Sequence, residues 1–220
     1  MPAFTFFATA GAVSRLGATP VFVDIGSKTF NMDGVNLWKT VHEMKPAALA
    51  RVKAIVPVHL YGQCSDMRPI FEVSERYRWA VVEDAAQAAG ASHRGKPAGS
   101  LGMMGCFSFY PTKNLGGAGD GGAITLDDDR MDNLLRQMRN HGQDAPYRHA
   151  FVGMNSRLDA VQSAVLSVKA RFLEKWNAAR RAAALRYDAL LAGVSEVETP
   201  PRAQANVHVY HQYVIRAKRR

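Results

Sequence analysis

Three short apolar runs constrain this chain more than any other feature: "TPVFVDI" at 19 to 25, "VKAIVPVHL" at 52 to 60 and "WAVVEDAAQ" at 79 to 87. Each is continuous and rich in β-branched residues, the pattern of a strand covered on both faces. Between the second and third lies "SDMRPIFEVSERYR", 65 to 78, with Ile70, Val73 and Tyr77 at helical spacing. A strand, helix, strand unit of this kind implies an α/β fold with a mostly parallel sheet flanked by helices. "GCFSFY" at 105 to 110 and "GGAITL" at 121 to 126 read as an antiparallel hairpin on that sheet. "DDRMDNLLRQMRNHG" reads as a helix opened by an Asp and closed by Gly142. From Ser156 to about Leu191 the apolar positions keep a helical period, as one long connecting helix or two joined ones. After Gly193 and the prolines at 200 and 201, "NVHVYHQYVIRA" alternates like a strand that opens a new element, for which the remaining sequence offers no partner.

With 220 residues, 47% of them apolar, there is material for one α/β domain and part of a second. No window reaches the roughly 18 uninterrupted apolar residues of a membrane helix, and "MPAFTFFATAGAV" lacks the basic start of a secretory signal, so the reading is cytoplasmic. Cys64 and Cys106 fit a reducing compartment and pair with no histidines at metal-ligand spacing. His208 and His211, three apart on a predicted strand, face opposite sides and make a poor metal pair, and no metal is expected. The net charge of +9 does not point to nucleic acid. Four of its charges sit in the final "RAKRR", and residues 169 to 191 carry six Lys or Arg against two acids, as solvated helix faces do.

The stretch "FSFYPTKNLGGAGDGGAI", 107 to 124, sets Lys113 ahead of five glycines in seven positions. A nucleotidase-type phosphate loop requires Gly-Lys-Ser/Thr, whereas here Thr112 precedes the lysine and Asn114 follows it. Gly117, Gly119 and Gly122 satisfy the dinucleotide fingerprint by chance, because "AITLDDD" continues as a strand and not as a helix. A Schiff-base lysine fits better: it needs a placed amine, glycines that let a flat cofactor approach, and an acid to tune the ring. Asp84 supplies the acid at the C-terminal end of an apolar run, where open α/β sheets bind ligands. Glu83 should point the opposite way. Taken singly, Lys113 reads as a surface lysine and Asp84 as a helix cap; the combination is what favours the cofactor reading.

"VVEDAAQAAGASHRGKPAGSLGMMGCFSFYPTKNLGGAGDGGAIT" resembles the core of the DegT/DnrJ/EryC1/StrS family, the pyridoxal-phosphate-dependent sugar-nucleotide aminotransferases of fold type I. "FTFFATAGAVSRLGATPVFVDI", "KAIVPVHLYGQCSDM" and "RNHGQDAPYRHAFVGMNSRLDAVQSAVL" extend the resemblance over nearly the whole chain. It implies that Lys113 holds pyridoxal 5'-phosphate as a Schiff base and then moves the proton. Asp84 would pair with the pyridine nitrogen, Gln87 lie near the 3'-oxygen, Ser108 bind the phosphate and Phe6 stack on the ring. Asn155 would reach the phosphate of a neighbouring subunit's cofactor, implying a homodimer with shared sites. His59 and Tyr61 fall near the pocket, His59 equally as a buried, satisfied histidine. The implied substrates are a keto-sugar nucleotide, aminated to an amino-sugar nucleotide, and glutamate as donor. Lys113 argues against the dehydratase branch, in which a histidine replaces it, and Tyr110 in "YPTKNL" resembles members that aminate C3 more than C4.

The same resemblance divides the chain into 1–155, most of the large cofactor domain; 156–192, a connecting helix region; and 193–220, the start of a small C-terminal α+β domain. Family chains begin well before "PAFTF" and continue beyond "HQYVIR", so the sequence reads as a truncated gene model or partial sequence. The expectation is that this piece binds cofactor weakly or folds poorly. The alternative reading is a truncated, catalytically impaired or non-catalytic relative of the same fold.

Overall fold

The structure is a computed structural model, and it describes residues 1–218; Arg219 and Arg220 of the basic "RAKRR" tail lie outside the described residues. The chain opens with α1 (Phe7–Arg15), α2 (Gly34–Glu43) and the single turn α3 (Pro46–Leu49). Strand β1 (Ala54–Ile55), helix α4 (Met67–Tyr77) and strand β2 (Ala80–Asp84) follow as the expected unit, with β1 and β2 parallel. Next come β3 (Ser92–His93), β4 (Lys96–Pro97), β5 (Met104–Ser108) and β6 (Gly122–Thr125), then α5 (Asp129–Met138) and a small hairpin of β7 (Gln143–Ala145) and β8 (Arg148–His149). The region after Ser156 resolves into two helices, α6 (Ala160–Ala170) and α7 (Leu173–Leu191). Strands β9 (Val197–Glu198), β10 (Asn206–Val207) and β11 (Arg216–Ala217) end the described chain.

The main sheet runs β1-β2-β5-β6, parallel except for β6, which returns antiparallel from Ser108↔Gly122 to Gly105↔Thr125. Helix α4 covers it because Met67, Ile70 and Val73 fall on one face and are buried, each such side chain worth about 1.5–3 kcal/mol. Asp66 caps its start by accepting from the Arg68 amide, and Arg78, at φ 56°, ends it in the left-handed region. Asp33, Asp128 and Asp159 cap α2, α5 and α6 in the same manner. Beyond β2 the core is built from small residues: Ala85, Ala88, Ala91 and Ala98 pack with Cys64 and Val209.

Two expectations are corrected. "TPVFVDI" does not join the main sheet: among the described residues it makes only single bridges, Pro2↔Val23 and Ile25↔Met32. Val23 is buried, whereas Val21 and Phe22 remain exposed, and the backbone bonds of Val21 and Val23 run to Met1 and Ala3 and not to the main sheet. "NVHVYHQYVIRA" is not one strand and does not lack a partner. Its first two residues form β10 against β3, its last two form β11 against β9, and Tyr210 breaks the run between them at φ 45°. Among the described residues, no helix is long and apolar enough to cross a membrane.

Candidate active site

Strand alternation divides two neighbouring acids between two environments. Val81 and Glu83 point into the buried face of β2, while Asp84 lies on the other face, half-buried at the strand's C-terminal end. Glu83 is fully buried and accepts four hydrogen bonds. Its Oε1 takes the Leu101 and Gly102 amides, both at 2.7 Å, and its Oε2 takes the Gly99 amide at 2.7 Å and His59 Nε2 at 2.8 Å. Burial alone would raise the carboxyl's pKa, but the bonds from His59, Gly102 and Gly99 hold it below the ordinary value. His59, also fully buried, accepts the Ser65 amide on Nδ1 at 3.2 Å, which leaves Nε2 to donate to Glu83. It is a satisfied core histidine that braces β2.

Asp84 is held in a different way. Its Oδ2 accepts the Thr9 hydroxyl at 2.6 Å, and its Oδ1 accepts the Ala86 amide at 3.1 Å. Thr9 is buried in the first turn of α1, and Phe6, 72% exposed, is the residue that precedes that helix. Gln87, three residues past Asp84, accepts the Tyr61 amide on Oε1 at 2.6 Å. This ties it to a short 3-10 turn, Leu60–Gly62, in which Tyr61 and Gly62 both have positive φ. A Cβ on Gly62 would lie 2.7 Å from Val209 Cγ2, so only glycine lets the C-terminal segment close over this turn.

Lys113 sits in a turn five residues beyond the end of β5, its amide bonded to the Tyr110 carbonyl at 2.9 Å. Burial lowers the pKa of its amine, and the Asp84 carboxylate opposes that by raising it. The two residues, 29 apart in sequence, therefore share one electrostatic environment. Ser108 ends β5, next to β2, and its hydroxyl accepts the Tyr110 amide at 3.3 Å. Asn155 is exposed, with contacts running to Arg157 (3.3 Å) and Asn140, not to Asp84 or Lys113.

The glycine loop needs a different explanation from the one its sequence suggests. A Cβ on Gly116 would stand 2.3 Å from the Pro111 carbonyl oxygen, on Gly117 2.8 Å from Gln162 Oε1, on Gly121 2.8 Å from Leu158 Cδ1, and on Gly122 2.7 Å from the Phe107 carbonyl oxygen. What excludes side chains is the protein's own packing against the lysine turn, β5 and α6. Gln162 accepts the Ala118 amide at 2.8 Å, and Lys169 donates to the Gly116 carbonyl, so α6 grips this loop directly.

The other reactive groups are quiet. Burial, reinforced by Glu83, pushes the Cys64 thiol up to about 12. His208 stacks on Tyr210 at 3.9 Å and accepts that residue's amide, while His211 turns to Asn114, so the two histidines do not converge. Thr9, Asn114 and Asn177 have a place in this site that no local pattern announces; their partners lie 75, 97 and 88 residues away in the chain.

A pyridinium aldehyde suits this set of groups. Asp84 uses two of its roughly four acceptor positions, leaving room to accept a ring N–H, and Lys113 offers a half-buried amine beside it.

Known proteins resemble this chain over its whole length. The chain is 48% identical over 220 residues to a pleiotropic regulatory protein of Geobacillus stearothermophilus, covering 99% of this chain and 57% of that one. It is 44% identical over 219 residues to the UDP-2-acetamido-2-deoxy-3-oxo-D-glucuronate aminotransferase of Pseudomonas aeruginosa, covering 100% and 59%. The crystal structure of S. venezuelae DesV in complex with a ketimine intermediate superposes with a TM-score of 0.93 at 40% identity, covering 100% of this chain and 57% of that one. The chain thus spans a little under three-fifths of the length of these relatives. The sequence profile of one family matches residues 1–220 from end to end, and the chain belongs to that family, the DegT/DnrJ/EryC1/StrS aminotransferases.

Proposed function

We propose that this chain carries the lysine centre of a pyridoxal-phosphate aminotransferase that converts a keto-sugar nucleotide to an amino-sugar nucleotide with glutamate as donor. The observation that carries the reading is the Asp84 carboxylate fixed by Thr9 and the Ala86 amide at the C-terminal end of β2, with the half-buried Lys113 close enough for that carboxylate to raise its pKa. Bound pyridoxal phosphate would supply an aldehyde for an amine to capture and a protonated ring that withdraws electrons from the amino-bearing carbon. The chain's own residues do the rest. Burial favours the neutral, nucleophilic form of Lys113, whose Nζ would hold the cofactor and would take and return a proton at the donor's Cα. Asp84, fixed by Thr9 and the Ala86 amide, keeps a proton on the ring nitrogen. Gln87 and Ser108 would meet the 3'-oxygen and the phosphate, Phe6 would cover one ring face, and Asn155 would complete the site of a second subunit in a homodimer.

The same reading assigns 1–155 to the large domain, 156–192 to the connecting helices and 193–220 to the start of the small domain, and it places the protein in the cytoplasm. A second reading, a regulatory or catalytically impaired relative, draws on the name of the Geobacillus relative. Absorbance spectra taken after adding pyridoxal phosphate separate the two. A visible band that disappears in Lys113→Ala and converts with glutamate supports the aminotransferase. A band that glutamate leaves unchanged favours the regulatory relative; no lysine-dependent band in this piece, but one in a chain extended at both ends, shows that the piece alone binds cofactor weakly, and no band in either overturns both cofactor roles.

A further inference from the structure

The turn that bears Lys113 is held on its buried side by one carboxamide. Asn114 is 6% exposed, and its Nδ2 donates to Asn177 Oδ1 at 2.8 Å and to the Val209 carbonyl at 3.0 Å. Both amide hydrogens are thus spent on acceptors, which fixes the amide's orientation and makes Oδ1 the acceptor for His211 Nδ1, 3.2 Å away. Asn177, fully buried on α7, passes its own Nδ2 to the Ala89 carbonyl at 3.0 Å. Ala89 belongs to the loop that begins at Asp84 and contains Gln87. A closed circuit therefore runs from the lysine turn through α7 to the Asp84 loop, and from the lysine turn to the C-terminal segment.

Buried amides are costly unless bonded, and here Asn114 uses both amide hydrogens and its oxygen while Asn177 gives a hydrogen to Ala89 and accepts from Asn114 on its oxygen. The circuit adds no apolar contact that a leucine at either position could not supply; what it adds is register. Gly90 confirms how closely the parts fit, since a Cβ there would stand 2.4 Å from Asn177 Nδ2. The titratable groups around the circuit are Asp84 from β2, Arg180 from α7, Lys113 and His211 itself. Burial first, then the Lys113 and Arg180 cations, keep the His211 imidazole neutral, so it adds no positive charge beside the lysine.

We propose that Asn114 is a positioning residue for Lys113, holding the amine-bearing turn in register with the Asp84 loop through Asn177 and with the C-terminal segment through Val209 and His211. The role assigned to Lys113 is the one given above, but the placement of its amine can be measured without cofactor.

Reductive 13C-methylation of the protein lets the Lys113 amine be titrated by NMR. In the unsubstituted protein it should titrate below an ordinary lysine; in Asn114→Ala and Asn177→Ala it should titrate about one pH unit higher, as the loosened turn hydrates. Ser74→Ala, which removes a core bond to the Trp79 carbonyl far from the site, controls for general destabilisation and should leave the titration in place. Should Asn114→Ala not fold, Asn177→Ala, which leaves Asn114 in the chain, carries the test. Pyridoxal phosphate affinity should fall about tenfold in both asparagine variants. An unmoved Lys113 titration in a folded asparagine variant, or an equal shift in Ser74→Ala, overturns the positioning role. If instead the titration shifts as stated while pyridoxal phosphate gives no band in the unsubstituted protein, the cofactor reading alone fails.

Discussion

Thr9 donates its hydroxyl to Asp84 Oδ2 at 2.6 Å, joining the first helix to the end of the second strand across 75 residues of sequence. The bond orients the acid that the site offers to a ring nitrogen, and it starts from a helix at whose entry Phe6 and Phe7 stand open to solvent. Thr9→Val keeps the shape and removes only the donor. Because a hydrogen bond to a charged group is worth about 1.5–3 kcal/mol, pyridoxal phosphate should bind roughly tenfold more weakly, read from the visible band on titration. Affinity equal to that of the unsubstituted protein would mean that Asp84 is placed by its backbone alone.

Glu83→Gln tests the brace on the opposite face. Each carboxylate oxygen accepts two donors, so whichever oxygen becomes an NH2 must face two N–H groups. Breaking a buried charged network in this way should cost about 3 kcal/mol in urea unfolding. The native carboxylate also has a pH signature: its pKa is held below the ordinary value, so the stability it contributes is present above pH 4.5 and is lost as pH falls through its lower folded value. That acid limb should be missing in the Gln variant.

Much of the frame around this site was legible in the sequence because strand periodicity is local. The opposite facing of Glu83 and Asp84, the helix at Met67–Tyr77 and the β5–β6 hairpin all follow from spacing over a few residues. Thr9, Asn114 and Asn177 were invisible for the opposite reason, since each acts through a partner brought near only by the finished fold. "TPVFVDI" has strand composition but finds only single-residue partners, and "NVHVYHQYVIRA" alternates correctly yet is broken at Tyr210, where tertiary contacts to Gly62 and Asn114 override propensity. The glycines were read as clearance for a ligand, but sequence cannot distinguish that from clearance for the chain's own backbone.

Gly116→Ala tests that distinction. A methyl group 2.3 Å from the Pro111 carbonyl oxygen meets backbone and cannot be relieved by a side-chain rotation. The lysine turn must shift, with an expected loss of about 1–3 kcal/mol in stability and a weakened cofactor band. Gly95→Ala, where a Cβ meets nothing within 4 Å, should leave the cofactor band unchanged, with only the strain of its positive φ (79°) to pay in stability. A Gly116→Ala protein of full stability and normal band would return the loop to the ligand-clearance explanation.

The C-terminal segment should make the fold acid-sensitive well above the carboxylate range. Burial lowers His208 from 6.5 to about 4, with Arg202 adding to the effect, and burial with Lys113 and Arg180 lowers His211 likewise to about 4. In the unfolded chain both imidazoles protonate near 6.5, whereas in the folded chain they resist until about 4. Between those values the unfolded state binds more protons, so the stability these groups contribute is complete above 6.5 and drains away as pH falls toward 4. Urea unfolding at intervals across that window should show a falling midpoint with uptake of about two protons per molecule. Replacing both histidines with Gln should flatten the slope, even if overall stability drops. A midpoint independent of pH across the window would mean that these rings are hydrated in solution, and that the segment from β10 to His211 does not close over the Gly62 turn as the structure has it.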